Sequence, residues 1–288
     1  MKKRHALVLF LLPAVAYIGG VLIYPAIFAG KTSLFKYNFA MPYAMRFVGL
    51  ANYLNLLRDE LFLTSLRNSL FFVVCAVGIE FALGLSIATL LNAELKGRNI
   101  IMGLLLIPTI IAPVVVGVVW RFMYNEQFGI IAYFLRKSGL LSASGAILGS
   151  PTIAMQGIIA TDIWEWTPFM TVILLSGLSA LPSQPFEAAK IDGASPWQIF
   201  HYVTLPLLRP VIIITLLLRM AEAIKVFDIV FMLTKGGPGH STETINLYAY
   251  RVNFRYFNMG YGSALVIFLL FLTLAFFFLI FSFSRTEM

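Results

Sequence analysis

Long apolar runs alternate with shorter polar stretches along this chain. Apolar residues dominate about 6–29, 69–91, 100–120, 152–181, 210–233 and 259–283. Each run comes near the roughly 20 residues an α-helix needs to cross about 30 Å of hydrocarbon. In lipid a helix satisfies its own backbone hydrogen bonds, so six such runs predict an all-α membrane protein with six spans in one transmembrane domain over 1–288. Pro108 and Pro113 predict kinks in the third run. Ala14-Val15-Ala16 looks like a signal cleavage site, but the apolar run continues to Ile27 and Phe28, so an uncleaved first span is expected. Gly129 to Leu141 is expected to lie at the interface as a helix.

The polar stretch 182–209 is too ordered for a plain connector. Pro185 suits a first helical turn, Glu187 falls where the helix dipole favours an anion, and Gly193 after Asp192 suits a stop. Ser195-Pro196-Trp197-Gln198 restarts a helix with a capping box. Pro206 is expected to end that helix and Pro210 to open the fifth span. The product is a helical hairpin on one membrane face. Ala188, Ala189, Gly193 and Ala194 are small enough for another protein to approach closely, and Glu187, Lys190 and Asp192 supply orienting charge. The basic start, Met1 to His5, places the N-terminus in the cytoplasm. Four crossings later the hairpin is on the same side, and the C-terminus also falls inside.

Composition agrees with the pattern and narrows the function. Of 288 residues, 60% are hydrophobic and 12% charged, and the mean hydropathy is +0.88. The net charge of +8 is scattered over short loops, which suits lipid head groups and not nucleic acid. Cys75 stands alone, so no internal disulfide forms. His5, His201 and His240 are far apart, and no metal site is expected. The chain carries no G-x-x-x-x-G-K-[ST], G-x-S-x-G or H-E-x-x-H pattern. It is expected to bind no cofactor and to be no enzyme.

Three motifs together resemble one family. Glu187-Ala188-Ala189, three residues, Gly193, nine residues, then Val203-Thr204-Leu205-Pro206 is similar to the "EAA" loop of ABC importer permeases, with Val203 where Ile is usual. Phe47-Val-Gly-Leu-Ala-Asn-Tyr53 and Gly236-Gly-Pro-Gly-His-Ser-Thr-Glu-Thr244 resemble stretches of the sugar-type members. The resemblance covers nearly the whole chain after residue 6. It implies a MetI-like permease in a bacterial or archaeal cytoplasmic (inner) membrane, moving a carbohydrate. Implied partners are a second homologous permease in a heterodimer, two ATPase subunits holding ATP and Mg, and an extracytoplasmic solute-binding protein. Glu187, Ala188, Ala189, Asp192, Gly193 and Pro206 are then the ATPase-coupling residues. With no G-A-V-K-G-like tail, the chain looks like the first permease of maltose, lactose or glycerol-phosphate systems.

Charged residues inside the apolar runs mark where a substrate would pass. Arg219, Glu222, Lys225 and Asp228 follow one another at intervals of three in the fifth run. They form either ion pairs inside the bundle or a polar stripe along a path, and the two readings are compatible. In the fourth run Trp164, Glu165 and Trp166 offer indole faces for sugar C–H surfaces and a carboxylate for hydroxyls. The tryptophans point to different sides of a helix, so at most one lines a path, and either alternatively anchors at the interface. Glu80 is either functional or a buried, hydrogen-bonded acid. The rival to an ABC permease is an autonomous ion-coupled transporter using Glu80, Glu222 or Asp228, for which paired broken helices in an inverted repeat would be the sign.

Overall fold

The computed structural model describes residues 2–93, 97–142 and 145–285. The loop residue Lys96 and the C-terminal Thr286 to Met288, which the six-span reading puts in the cytoplasm, lie outside that set. In chain order the helices are α1 (Lys2–Ile18), α2 (Tyr24–Thr32), α3 (Ala51–Leu56), α4 (Glu60–Asn92), α5 (Arg98–Ile110), α6 (Pro113–Met123) and α7 (Ile130–Lys137), followed by α8 (Ala154–Ser179), α9 (Gln184–Ile191), α10 (Pro196–Ile199), α11 (Leu205–Ala223), α12 (Asp228–Leu233), α13 (Ile245–Phe254) and α14 (Met259–Arg285). Two short strands, β1 (Phe35–Lys36) and β2 (Arg46–Phe47), pair antiparallel. Among the described residues, five helical stretches are long and apolar enough to cross a membrane: Phe10–Thr32, Glu60–Asn92, Ala154–Ser179, Pro196–Leu233 and Met259–Ser282.

The third expected span departs from expectation. A kinked helix was the reading; instead α5 and α6 meet at a bend of 93°. Pro113 supplies no N–H and forces the residue before it out of the helical region. Ile111 and Ala112 are accordingly extended, with ψ 134° and 135°. α6 then lies against α12. A Cβ on Gly117 would come 2.6 Å from the Met232 Cβ, so only glycine permits this approach.

The hairpin's end also differs. Pro206 does not end a helix. A π turn over Phe200–Thr204 joins α10 to α11, so helical backbone continues from Pro196 to Ala223. The wide turn lets Leu205 N–H bond Phe200 O, five residues back, and makes room for the Pro206 ring. Gly19–Ile23, just before Pro25, is built the same way, with Tyr24 N–H on Gly19 O. The fifth span in turn starts before Pro210, and its helix breaks at residues 224–227 before α12 carries it on to Leu233.

The chain divides into two compact units, one up to Leu63 with Tyr248–Leu272, the other Thr64–Leu247 with the stretch from Thr273 on. In the first, Asn52 Nδ2 donates to Ser33 O at 2.7 Å and Phe35 O at 3.0 Å, and Phe47 packs edge-on against Phe35. The Phe47–Tyr53 motif thus ties the end of α2 to α3. Asp59 caps α4, accepting from the Leu61 and Phe62 amides on Oδ1 and from the Tyr248 and Tyr261 hydroxyls on Oδ2. Burial pushes the Asp59 carboxyl up, but those hydrogen bonds outweigh it and hold it below its ordinary value of 3.8. From Phe10 on, α1 and α2 face outward, with Phe10 85% exposed. Such a helix belongs in lipid or against another subunit.

In the second unit, Ala88 and Leu91 of α4, Leu174, Leu175 and Leu178 of α8 and Leu208 of α11 form one buried cluster. The Gly236–Thr244 motif is a turn with Thr242, Glu243 and Thr244 buried. Asn68 Nδ2 donates to His240 O and Glu243 O, each at 3.0 Å, and Thr242 Oγ1 donates to Gly237 O at 2.8 Å.

Candidate functional site

Two features of the second unit bear on function: a polar cleft and the exposed hairpin.

The cleft, of about 320 Å³, opens where two helix breaks meet. Pro113 at the α5–α6 bend forms one wall, and Lys225, Val226 and Phe227 between α11 and α12 form another. Non-helical backbone at membrane depth is tolerated where it lines a water-filled cavity or finds partners. Here it finds partners: Asn246 Nδ2 donates to Lys225 O at 2.6 Å, and Thr244 Oγ1 donates to Val226 O at 3.4 Å. Trp166, Glu222, Lys225 and Asp228 come together at this cleft with Asp162 and Arg219. Trp164 and Glu165 do not line it. Trp164, 41% exposed, packs instead against Trp120 at 5.5 Å between ring centroids. Glu165 is buried, and its Oε2 has no hydrogen-bond partner among the described residues.

The four fifth-run charges do not form one stripe. The helix stops at Ala223, so Lys225 falls beyond its end and Asp228 begins α12. Arg219 is 2% exposed and turns away from Glu222 to bridge two other helices. Its Nε and Nη2 donate to Glu80 of α4 at 2.6 and 3.0 Å, and Nη2 also donates to Asp162 of α8. Its guanidinium lies 5.0 Å from the Trp166 ring centroid. Glu80, fully buried, is therefore a hydrogen-bonded acid of the core. Glu222 and Lys225 do pair, at 2.9 Å, with both side chains 53% exposed. Asp162 had no role in the sequence reading; its only signal was an acid three residues before Glu165 in an apolar run.

The hairpin is built as its residues suggest. Pro185 sits in the first turn of α9 and Glu187 beside it. Gly193 adopts φ +78°, its N–H bonds Lys190 O, and Ala194 N–H bonds Ala189 O. This paired closure needs a left-handed residue, hence glycine. Ser195 and Gln198 form the reciprocal capping box. Glu187, Ala188, Asp192, Gly193 and Pro206 are exposed, and Ala189 is half-buried. The sequence reading missed three large exposed side chains on the same hairpin: Ile191 at 86%, Trp197 at 73% and Tyr202 at 72%. Apolar groups presented beside charges suit a protein partner.

Known proteins match this chain closely. A family model described as the binding-protein-dependent transport system inner membrane component matches residues 80–286. The probable ABC transporter permease protein y4oQ of Sinorhizobium fredii is 38% identical over 264 residues, covering 91% of this chain and 84% of that protein. The trehalose/maltose transport system permease protein MalF of Thermococcus litoralis is 42% identical over 233 residues, covering 80% and 77%. A chain in the crystal structure of a bacterial ABC transporter involved in the import of the acidic polysaccharide alginate has the same fold, with TM-score 0.84 at 22% identity over 99% of this chain and 97% of that one.

Proposed function

The chain belongs to the inner membrane components of binding-protein-dependent transport systems, and from that premise we propose that it conducts a carbohydrate through the cleft around Trp166 and Asp228 while its 182–209 hairpin couples to an ATPase. It is a multi-pass permease, a transport component. The observation that carries the substrate reading is the cleft: a tryptophan, carboxylates and broken backbone converge on one polar space. The ring of Trp166 offers a face to sugar C–H groups, and Glu222 and Asp228 accept from hydroxyls. The relatives' names support a carbohydrate and differ in one respect, since trehalose and maltose are neutral whereas alginate is acidic.

Coupling is supported by continuity. Helical backbone runs unbroken from Pro196, beside the hairpin turn, to Ala223, beside the cleft. At about 1.5 Å per residue that is a rod of roughly 40 Å. A partner ATPase that moves Glu187, Ala188, Ala189, Asp192, Gly193 and Pro206 would tilt this rod, and its far end carries Glu222. ATP and Mg are held by that partner. In this reading the hairpin and both termini face the cytoplasm. A second homologous permease covers the outward apolar helices, and a solute-binding protein delivers the sugar from outside. Family membership displaces the ion-coupled alternative.

The test is ATP hydrolysis by the co-purified complex in proteoliposomes, with the solute-binding protein and a panel of carbohydrates. Stimulation by one sugar is expected. A preparation without an ATPase that takes up solute on an ion gradient would overturn the reading.

A further inference from the structure

The cleft is acidic although two cations line it. Asp162, Glu222 and Asp228 share its walls with Arg219 and Lys225. Both cations are already engaged. Arg219 is clamped between Glu80 and Asp162, and Lys225 Nζ lies 2.9 Å from Glu222 Oε1. Asp228 has no cation within ion-pair distance among the described residues. Glu165, three residues from Asp162 and so on an adjoining helix position, adds a buried carboxyl whose Oε2 has no hydrogen-bond partner among the described residues. The sign does not depend on the protonation of the buried Glu80 and Glu165. With Asp162 ionised against Arg219, the lining carboxylates outnumber the lining cations by one even when Glu80 and Glu165 are neutral; with both charged, the excess grows.

We infer that the cleft selects carbohydrates carrying no anionic group and rejects sugar acids and sugar phosphates. This rests on the reading of the cleft as the substrate's seat. An ionised carboxylate only accepts hydrogen bonds, so Asp228 is matched by a hydroxyl or an ammonium group. A carboxylate or phosphate on the ligand is matched by a free arginine or lysine, and here both are taken. Bringing it beside Asp228 sets like charges together, with no free cation in the lining to offset them.

Saturation-transfer NMR on the whole co-purified transporter in nanodiscs tests this, without the solute-binding protein so that only the membrane site selects. The probes are matched pairs: maltose and maltobionate, trehalose and trehalose 6-phosphate, galactose and galacturonate. The neutral member of at least one pair should bind, with its anionic counterpart about tenfold or more weaker. E222Q frees Lys225 from its partner, and D228N removes the unmatched charge; each should narrow that gap to about threefold or less. Narrowing by either variant supports the inference. Equal or tighter binding of the anion by the unmodified transporter overturns it, as does a gap that both variants leave unchanged. If no member of any pair binds, the cleft is not the substrate's seat, and the inference falls with that reading.

Discussion

Arg219 and Lys225 carry the same charge, stand close together in sequence and both touch the same cleft, yet their surroundings are opposite. Arg219 is 2% exposed and locked to carboxylates from two other helices. Lys225 is 53% exposed, and its partner Glu222 lies three residues before it. Burial decides what each pair does. A charge withdrawn from water needs its partners, because removing one leaves an uncompensated ion in a low-dielectric interior. A half-exposed pair is solvated and screened, and its loss is nearly neutral. One pair joins helices; the other is free to rearrange around a ligand.

The sharpest way to break this contrast is Arg219→Met. It strands Glu80 and Asp162 and should cost about 3–5 kcal/mol, read as early aggregation of the complex in heated size-exclusion runs. Adding Glu80→Gln and Asp162→Asn should restore most of the loss; an Arg219→Met complex as stable as the unmodified one would sink the structural role. Gly117→Leu comes next. It forces α6 off Met232 and should cost about 1–3 kcal/mol by overpacking, displacing the helix that carries Asp228 and weakening sugar binding in the same NMR assay. Gly193→Val puts a β-branched residue at positive φ, roughly 1–2 kcal/mol of local strain. Sugar-stimulated ATP hydrolysis should fall while cleft binding persists, and unchanged stimulation would remove the hairpin from the coupling path. Lys225→Ala should change thermal stability by no more than about 1 kcal/mol; a larger loss would place Lys225 with Arg219.

Asp59 extends the contrast to a carboxylate with no cation within ion-pair distance among the described residues. Four hydrogen bonds hold its folded value below 3.8 despite burial. Its contribution is therefore complete above the ordinary carboxylate value and is lost as pH falls through the lowered one. Melting the complex across acidic pH should show a shallower acid limb in Asp59→Asn, and an identical limb would show that Asp59 does not set it.

Apolar run length, helix caps and turn residues belong to local chemistry, and local chemistry is legible in a sequence. Hence the helices Ala154–Ser179 and Met259–Arg285, the Ser195–Gln198 box and the Gly193 turn could be read from residue order, whereas α4 begins at Glu60, nine residues before the apolar run at 69. Pro113 announced a disturbance, but not one of 93°, because the angle depends on α12 being available for α6 to pack against. Pro206 read as a stop, since local rules end helices at proline; the π turn that carries the chain through it depends on the helical backbone on either side. The spacing of Arg219, Glu222, Lys225 and Asp228 suggested neighbours on one helix. Residue spacing cannot say where that helix stops, nor that Glu80 and Asp162, 139 and 57 residues from Arg219, face it in the core. So the sequence by itself determined a membrane permease with a helical hairpin over residues 182–209. Only the tertiary structure decided which charges are matched, and thus the sign of the cleft, because charge matching depends on which helices pack together and not on which residues are adjacent in the chain.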